Sequence, residues 1–96
     1  MGAITIYSGD KIQEKVIFPP TRAGNTSTIT YKLRNNLGNS VEITEVIIDD
    51  EQVILESLTK TLTAFGEGTI ILSWKPDKDR LLPLKTKIKF KELIGW

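Results

Sequence analysis

The chain of 96 residues contains no cysteine and no histidine. The first absence excludes disulfides, a thiol nucleophile and cysteine-ligated zinc. Packing alone must hold any sandwich of the antibody type, because its inter-sheet disulfide cannot form. The second absence removes the commonest general base and the commonest metal ligand. An excess of charge of one sign is also missing: 13 basic and 12 acidic side chains leave a formal net charge of +1. That balance gives no global attraction to nucleic acid or acidic membrane, so electrostatic recognition must come from local clusters. No apolar run approaches the roughly 20 residues that span a bilayer. Met1 to Thr5 shows no basic region followed by an apolar stretch, so no secretory signal is visible. A cytoplasmic or virion-associated protein is the resulting expectation, with no membrane insertion.

What is present suits one folded unit. Apolar residues make up 40% and charged residues 26%, a globular rather than a disordered composition. The length supports a single hydrophobic core, so residues 1–96 are expected to form one domain.

Turn residues recur about every ten positions, the spacing of an all-β sandwich. Ala3 to Tyr7 reads as a strand and Ser8-Gly9-Asp10 as a turn. Ile12 to Phe18 reads as a second strand, stopped by Pro19-Pro20, which cannot donate to a ladder. These two pieces suit one N-terminal strand split between two sheets. Thr28 to Arg34 alternates: Ile29, Tyr31 and Leu33 face a core, and Thr30, Lys32 and Arg34 face water. Asn35-Asn36-Leu37-Gly38-Asn39 is expected to close a hairpin into Val41 and Ile43. The alternation then slips, because Val46 and Ile48 are apolar while Glu45 falls on the core parity. A one-residue bulge near Thr44 or Glu45 reconciles the two halves, as does a change of partner strand. Asp49-Asp50-Glu51 forms an acidic turn, Val53 to Leu55 a short strand, and Leu62 a core plug. Thr69 to Trp74 buries Ile70, Leu72 and Trp74. Leu84 to Phe90 forms the last strand, with Leu84, Ile88 and Phe90 inward. The sum is an all-β, antiparallel sandwich of about seven strands, with room for a helical turn between Lys75 and Pro83.

Few residues suggest chemistry. Lys85, Lys87, Lys89 and Lys91 project from one face of the last strand, about 7 Å apart given a rise of about 3.4 Å per residue. Such a row suits an acidic partner; its plainer reading is a lysine-guarded edge that resists strand-to-strand aggregation. Nucleic acid is not expected as a partner, since aromatic platforms and strong net charge are both missing. Asp49, Asp50 and Glu51 lack the spacing of a calcium loop, and Asp77 and Asp79 form only a loose pair, so no metal or cofactor is expected. No carboxylate pair or serine–lysine pair marks a catalytic centre or a small-molecule substrate site. Asn25-Thr26-Ser27 matches a glycosylation sequon and reads as a turn. Trp96, behind Leu93, Ile94 and Gly95, is either tucked onto the fold or an anchor in a partner interface.

The elements Val16-Ile17-Phe18-Pro19-Pro20, Ile29-Thr30-Tyr31-Lys32-Leu33-Arg34-Asn35-Asn36, Val41-Glu42-Ile43, Leu62 and Ile70-Ile71-Leu72-Ser73-Trp74-Lys75-Pro76 together resemble the immunoglobulin-like sandwiches related to ASH and major-sperm-protein domains. Similar domains occur as small accessory or decoration subunits of phage and viral particles. The resemblance implies a scaffold or adaptor that binds protein, including copies of itself. The basic peptide-binding motif of the major-sperm-protein adaptors is not recognisable here, and that activity is not carried over. Three functions are therefore expected in order: a non-catalytic structural subunit of a larger assembly, an adaptor for an acidic peptide along the lysine row, and a carbohydrate-binding accessory module. The last needs a flat aromatic platform, for which Tyr7, Phe65 and Trp96 are the candidates.

Overall fold

The computed structural model describes residues 3–95. Every regular element among them is a strand: β1 (Ile4–Ser8), β2 (Lys11–Ile12), β3 (Val16–Phe18), β4 (Ser27–Asn35), β5 (Val41–Ile48), β6 (Val53–Leu58), β7 (Thr61–Leu62), β8 (Glu67–Trp74), β9 (Leu84–Thr86) and β10 (Ile88–Ile94). They pair antiparallel in a five-stranded sheet of order β2-β1-β4-β8-β6, a three-stranded sheet β10-β5-β7, and a two-stranded sheet β3-β9. The expected count of about seven becomes ten for local reasons. The Ile12–Phe18 and Leu84–Phe90 segments are each broken in two, and the two-residue β7 is added.

The period-two pattern decides which faces meet. Ile6, Tyr31, Leu33, Ile70, Leu72 and Trp74 come from the five-stranded sheet, Ile43 and Leu62 from the three-stranded sheet, and Val16 and Phe18 from the two-stranded sheet. All join one core, the arrangement of a β-sandwich in general. Each large side chain buried there contributes about 1.5–3 kcal/mol relative to exposure. The Phe18 and Trp74 rings pack with centroids 5.8 Å apart. Tyr31 adds a polar tie between sheets: its hydroxyl accepts from the Ile17 N–H at 3.0 Å and lies 3.4 Å from the Ile17 carbonyl, to which it donates.

Gly9 has φ 64° and opens the two-residue turn between Ser8 and Lys11. A positive φ at the first central position suits a tight hairpin between twisted strands. Gly24 has φ 82°, and the Asn25 N–H donates to the Arg22 carbonyl at 3.0 Å. The sequon asparagine thus closes a β-turn, as the sequence suggests.

The slip in β5 is a bulge. Lys91 pairs with Glu45 and Glu92 with Ile43, so Thr44 is the extra residue. Its hydroxyl donates to the Lys91 carbonyl at 3.0 Å. Val46 and Ile48 can therefore pack on the same core as Ile43.

Two expectations are corrected. Asn35 to Asn39 does not close a hairpin, because β4 lies in the five-stranded sheet and β5 in the three-stranded one. The connection crosses between layers, and fully buried Asn35 holds it. Between Lys75 and Pro83 there is no helical turn. The loop instead forms an isolated antiparallel bridge, Thr21 to Arg80, which extends the backbone and uses hydrogen bonds a helix would need.

Candidate interaction surfaces

Lys85, Lys87, Lys89 and Lys91 are all exposed, as their alternation requires. The ladder breaks at Lys87, so Lys85 belongs to β9 and Lys89 and Lys91 to β10. β10 pairs only with β5, leaving its other edge open among the described strands. Lysines along such an edge oppose pairing with a further strand.

The row is not uniformly basic. Register places Ile17 beside Lys85, Ile47 beside Lys89 and Glu45 beside Lys91. Lys91 Nζ lies 3.2 Å from Glu45 Oε2, an exposed pair that contributes little to stability. The Lys87 carbonyl accepts from the Asp49 N–H at 3.2 Å. Lys15, Asp49, Asp50, Lys85 and Lys87 line a shallow cleft of about 320 Å³. Carboxylates therefore flank both ends of the row, and Lys89 sits beside Ile47. Among the described residues, Lys85, Lys87 and Lys89 make no ion pair.

Trp96 lies outside the described residues. The segment before it does not fold back wholly: Leu93 and Ile94 are exposed, while the Gly95 N–H donates to the Ser40 carbonyl at 2.6 Å. A Cβ at Gly95 would press on the Ser40 side chain and come within 3.0 Å of its carbonyl oxygen, so a larger residue fits only if Ser40 shifts.

Of the aromatic candidates, the two described ones, Tyr7 and Phe65, are not brought together. Tyr7 lies next to the end of β1 and lines an open groove of about 700 Å³ with Lys32, Arg34 and Glu67. Phe65 is exposed, and its N–H donates to the Leu37 carbonyl, near the Ala3 end of the same strand through the Asn36–Ala3 bond. Four residues of strand separate those ends, about 14 Å at 3.4 Å per residue. Among the described residues no group of three or more acidic side chains is placed to hold a metal ion.

One feature escaped the periodicity. Leu81 and Leu82 are 88% and 77% exposed, more than any other large apolar side chain described. They sit on a loop fixed from several sides. The Thr21 and Arg80 main chains exchange hydrogen bonds of 3.2 and 2.9 Å, and the Gly24 N–H donates to the Pro76 carbonyl at 3.4 Å. The Ala23 N–H donates to Asp79 Oδ1 at 2.8 Å, and Gln52 Nε2 to Asp77 Oδ1 at 3.0 Å. That last bond, with help from the Lys78 and Arg80 charges, holds the Asp77 carboxyl below the usual range. The only sequence signal was three leucines crowded around Pro83, with no alternation to give them a face.

Comparison of the chain with protein-family profiles, curated proteins and solved structures finds no match.

Proposed function

We propose that the chain is a non-catalytic protein-interaction module of immunoglobulin-like sandwich type, related to the ASH and major-sperm-protein domains, and serves as a small structural subunit of a larger assembly such as a virus or phage particle. Counting the interrupted 11–18 and 84–94 segments once each, and setting aside two-residue β7, leaves seven segments, a number compatible with this reading, although they pair in three sheets rather than two. The observation that carries the functional reading is the set of large apolar side chains held outward on fixed backbone: Ile54 and Leu55 on edge strand β6, Leu81 and Leu82 on the bridged loop, and Leu93 and Ile94 on edge strand β10. Exposed apolar side chains of this size suit the buried centre of an interface.

Light scattering across a concentration and salt series tests the reading. An assembly that survives high salt supports apolar association. A clean monomer under every condition removes self-assembly and moves weight to the lysine row.

That second reading, an adaptor for an acidic peptide, draws support from the exposed Lys85, Lys87 and Lys89, which no described carboxylate engages in an ion pair. It predicts salt-sensitive binding of a polyglutamate peptide, lost when Lys87 and Lys89 are both changed to glutamate. Binding that ignores salt or survives that change would sink it.

A further inference from the structure

We infer that the open edge of β10 takes up an extended segment of a partner protein, in which apolar and acidic residues alternate, as an added strand. The inference rests on the adaptor reading and gives the acidic peptide a place, a conformation and a residue pattern.

Three observations carry it. First, the edge offers main-chain groups at strand spacing. The Lys87 carbonyl accepts from the Asp49 N–H and the Lys91 carbonyl from the Thr44 hydroxyl, so both point toward β5. Main-chain direction alternates along an antiparallel strand. Lys89 therefore also points toward β5, and the N–H and C=O of Ile88 and Phe90 point the other way, where no described strand pairs with β10. An extended backbone supplies matching donors and acceptors at that repeat.

Second, the edge opens onto an apolar groove. Ile88 and Phe90 face Ile4, Ile6 and Ile12 across a space of about 550 Å³, and Ile12 is 60% exposed. Glu14 and two uncharged polar residues complete the lining. A strand laid along β10 points every second side chain to this side. Apolar side chains there cover Ile12, whereas an acid would meet Glu14 and lose water among isoleucines.

Third, the intervening side chains of that strand fall beside Lys87 and Lys89. Both are exposed and make no ion pair among the described residues. Acids there repeat what β10 has on its other edge. β5 sets Glu45 beside Lys91, 3.2 Å between the charged atoms, and turns Val46 and Ile48 to the core. Opposite Lys89 it carries Ile47, so that charge is left for the open side. The β10 of a second copy would bring lysine against lysine, and like charges across strands repel. The row that guards the edge against basic or identical strands thus selects an acidic one.

The test is amide hydrogen exchange of the full chain, followed by NMR, with a peptide as long as β10, seven residues, that alternates glutamate with valine. Two further peptides are compared: its backbone N-methylated form, which cannot donate to the edge, and one that alternates glutamate with serine. The alternating peptide should slow exchange at Ile88 and Phe90 by at least about tenfold at saturation. Exchange at Lys89, already bonded toward β5, should not change. Affinity should fall at least about tenfold with N-methylation, with serine in place of valine, in Ile12→Ser and in Lys87→Glu/Lys89→Glu. The substituted side chains are exposed, and amide spectra check that both variants keep the fold.

Salt-sensitive binding that N-methylation leaves intact, with no slowing at Ile88 and Phe90, overturns the added strand and leaves the adaptor reading standing. Failure of every acidic peptide to bind overturns both. Exchange at Ile88 and Phe90 that is already slow in the free chain and quickens on dilution means that a second copy covers the edge, and the inference falls while the assembly reading gains.

Discussion

The side-chain amide of Asn35 donates to the carbonyl of Thr63 at 2.9 Å, joining the end of β4 to the residue that follows β7. The same nitrogen reaches the Asn39 carbonyl at 2.7 Å and the Leu62 carbonyl at 3.3 Å, and Asn35 Oδ1 accepts from the Leu37 N–H at 2.9 Å. One fully buried amide therefore satisfies main-chain groups of both the crossover and the β7 segment. Asn35→Ala should cost about 2–4 kcal/mol, because several partners lose their bond in a site closed to water. Asn35→Asp should cost at least as much, since a carboxylate only accepts and would face carbonyl oxygens. Urea unfolding gives the values; an unchanged midpoint in Asn35→Ala would show that the amide does not hold the crossover.

Thr44 is the spare residue of β5. Removing it leaves Glu42, Ile43, Glu45, Val46, Ile47 and Ile48 in unbroken alternation. Deletion of Thr44 should therefore be tolerated, at a cost of about 1 kcal/mol for the lost bond to the Lys91 carbonyl. Deletion of Ile47 should be far worse, because it moves Ile48 off the core face. Thermal unfolding of the two deletions distinguishes them; equal losses would show that the bulge does more than absorb parity.

Thr86 is 5% exposed, and its hydroxyl finds no hydrogen-bond partner among the described residues. Valine has the same shape without the hydroxyl. Thr86→Val should stabilise the fold by about 1 kcal/mol, a rise in Tm of roughly 4–8 °C for a domain of this size. A lower Tm would mean that the hydroxyl has a partner in solution.

Asp77 supplies the pH dependence. Gln52 donates to its carboxylate, and the Lys78 and Arg80 charges act in the same direction, lowering its pKa from 3.8. A carboxylate with a lowered folded value contributes its stability above its unfolded value and loses it as pH falls through the folded one. The contribution of Asp77 should thus be complete above pH 3.8 and fade below it. In Gln52→Ala the Asp77 midpoint, followed by carbon NMR of the carboxyl group, should move up toward 3.8. An unmoved midpoint would assign the shift to the backbone hydrogen bond at Asp77 and the neighbouring cations.

Much of the architecture was legible in the chain because strand faces obey a period of two. That period alone identified Tyr31, Leu33, Ile70, Leu72 and Trp74 as core, and the break in it pointed to a bulge near Thr44 or Glu45 or to a change of partner strand, between which the β10 register decided for Thr44. The exposed lysine row followed from the same rule. Partner choice was not legible. Whether Asn35 to Asn39 turns within a sheet or crosses between sheets depends on where β5 finds β10, some 50 residues later. Pattern specifies which face is buried, and not against which strand.

The sequence by itself determined the all-β class, the inward set of side chains and the absence of histidine and thiol chemistry, because alternation and composition are local properties. Only the tertiary structure decided that Leu81 and Leu82 stand in solvent. They carry no alternation, and their exposure is imposed by Thr21, Ala23 and Gln52, residues far away in the chain that pin the loop through hydrogen bonds. Where periodicity ends, long-range bonding sets what a side chain faces.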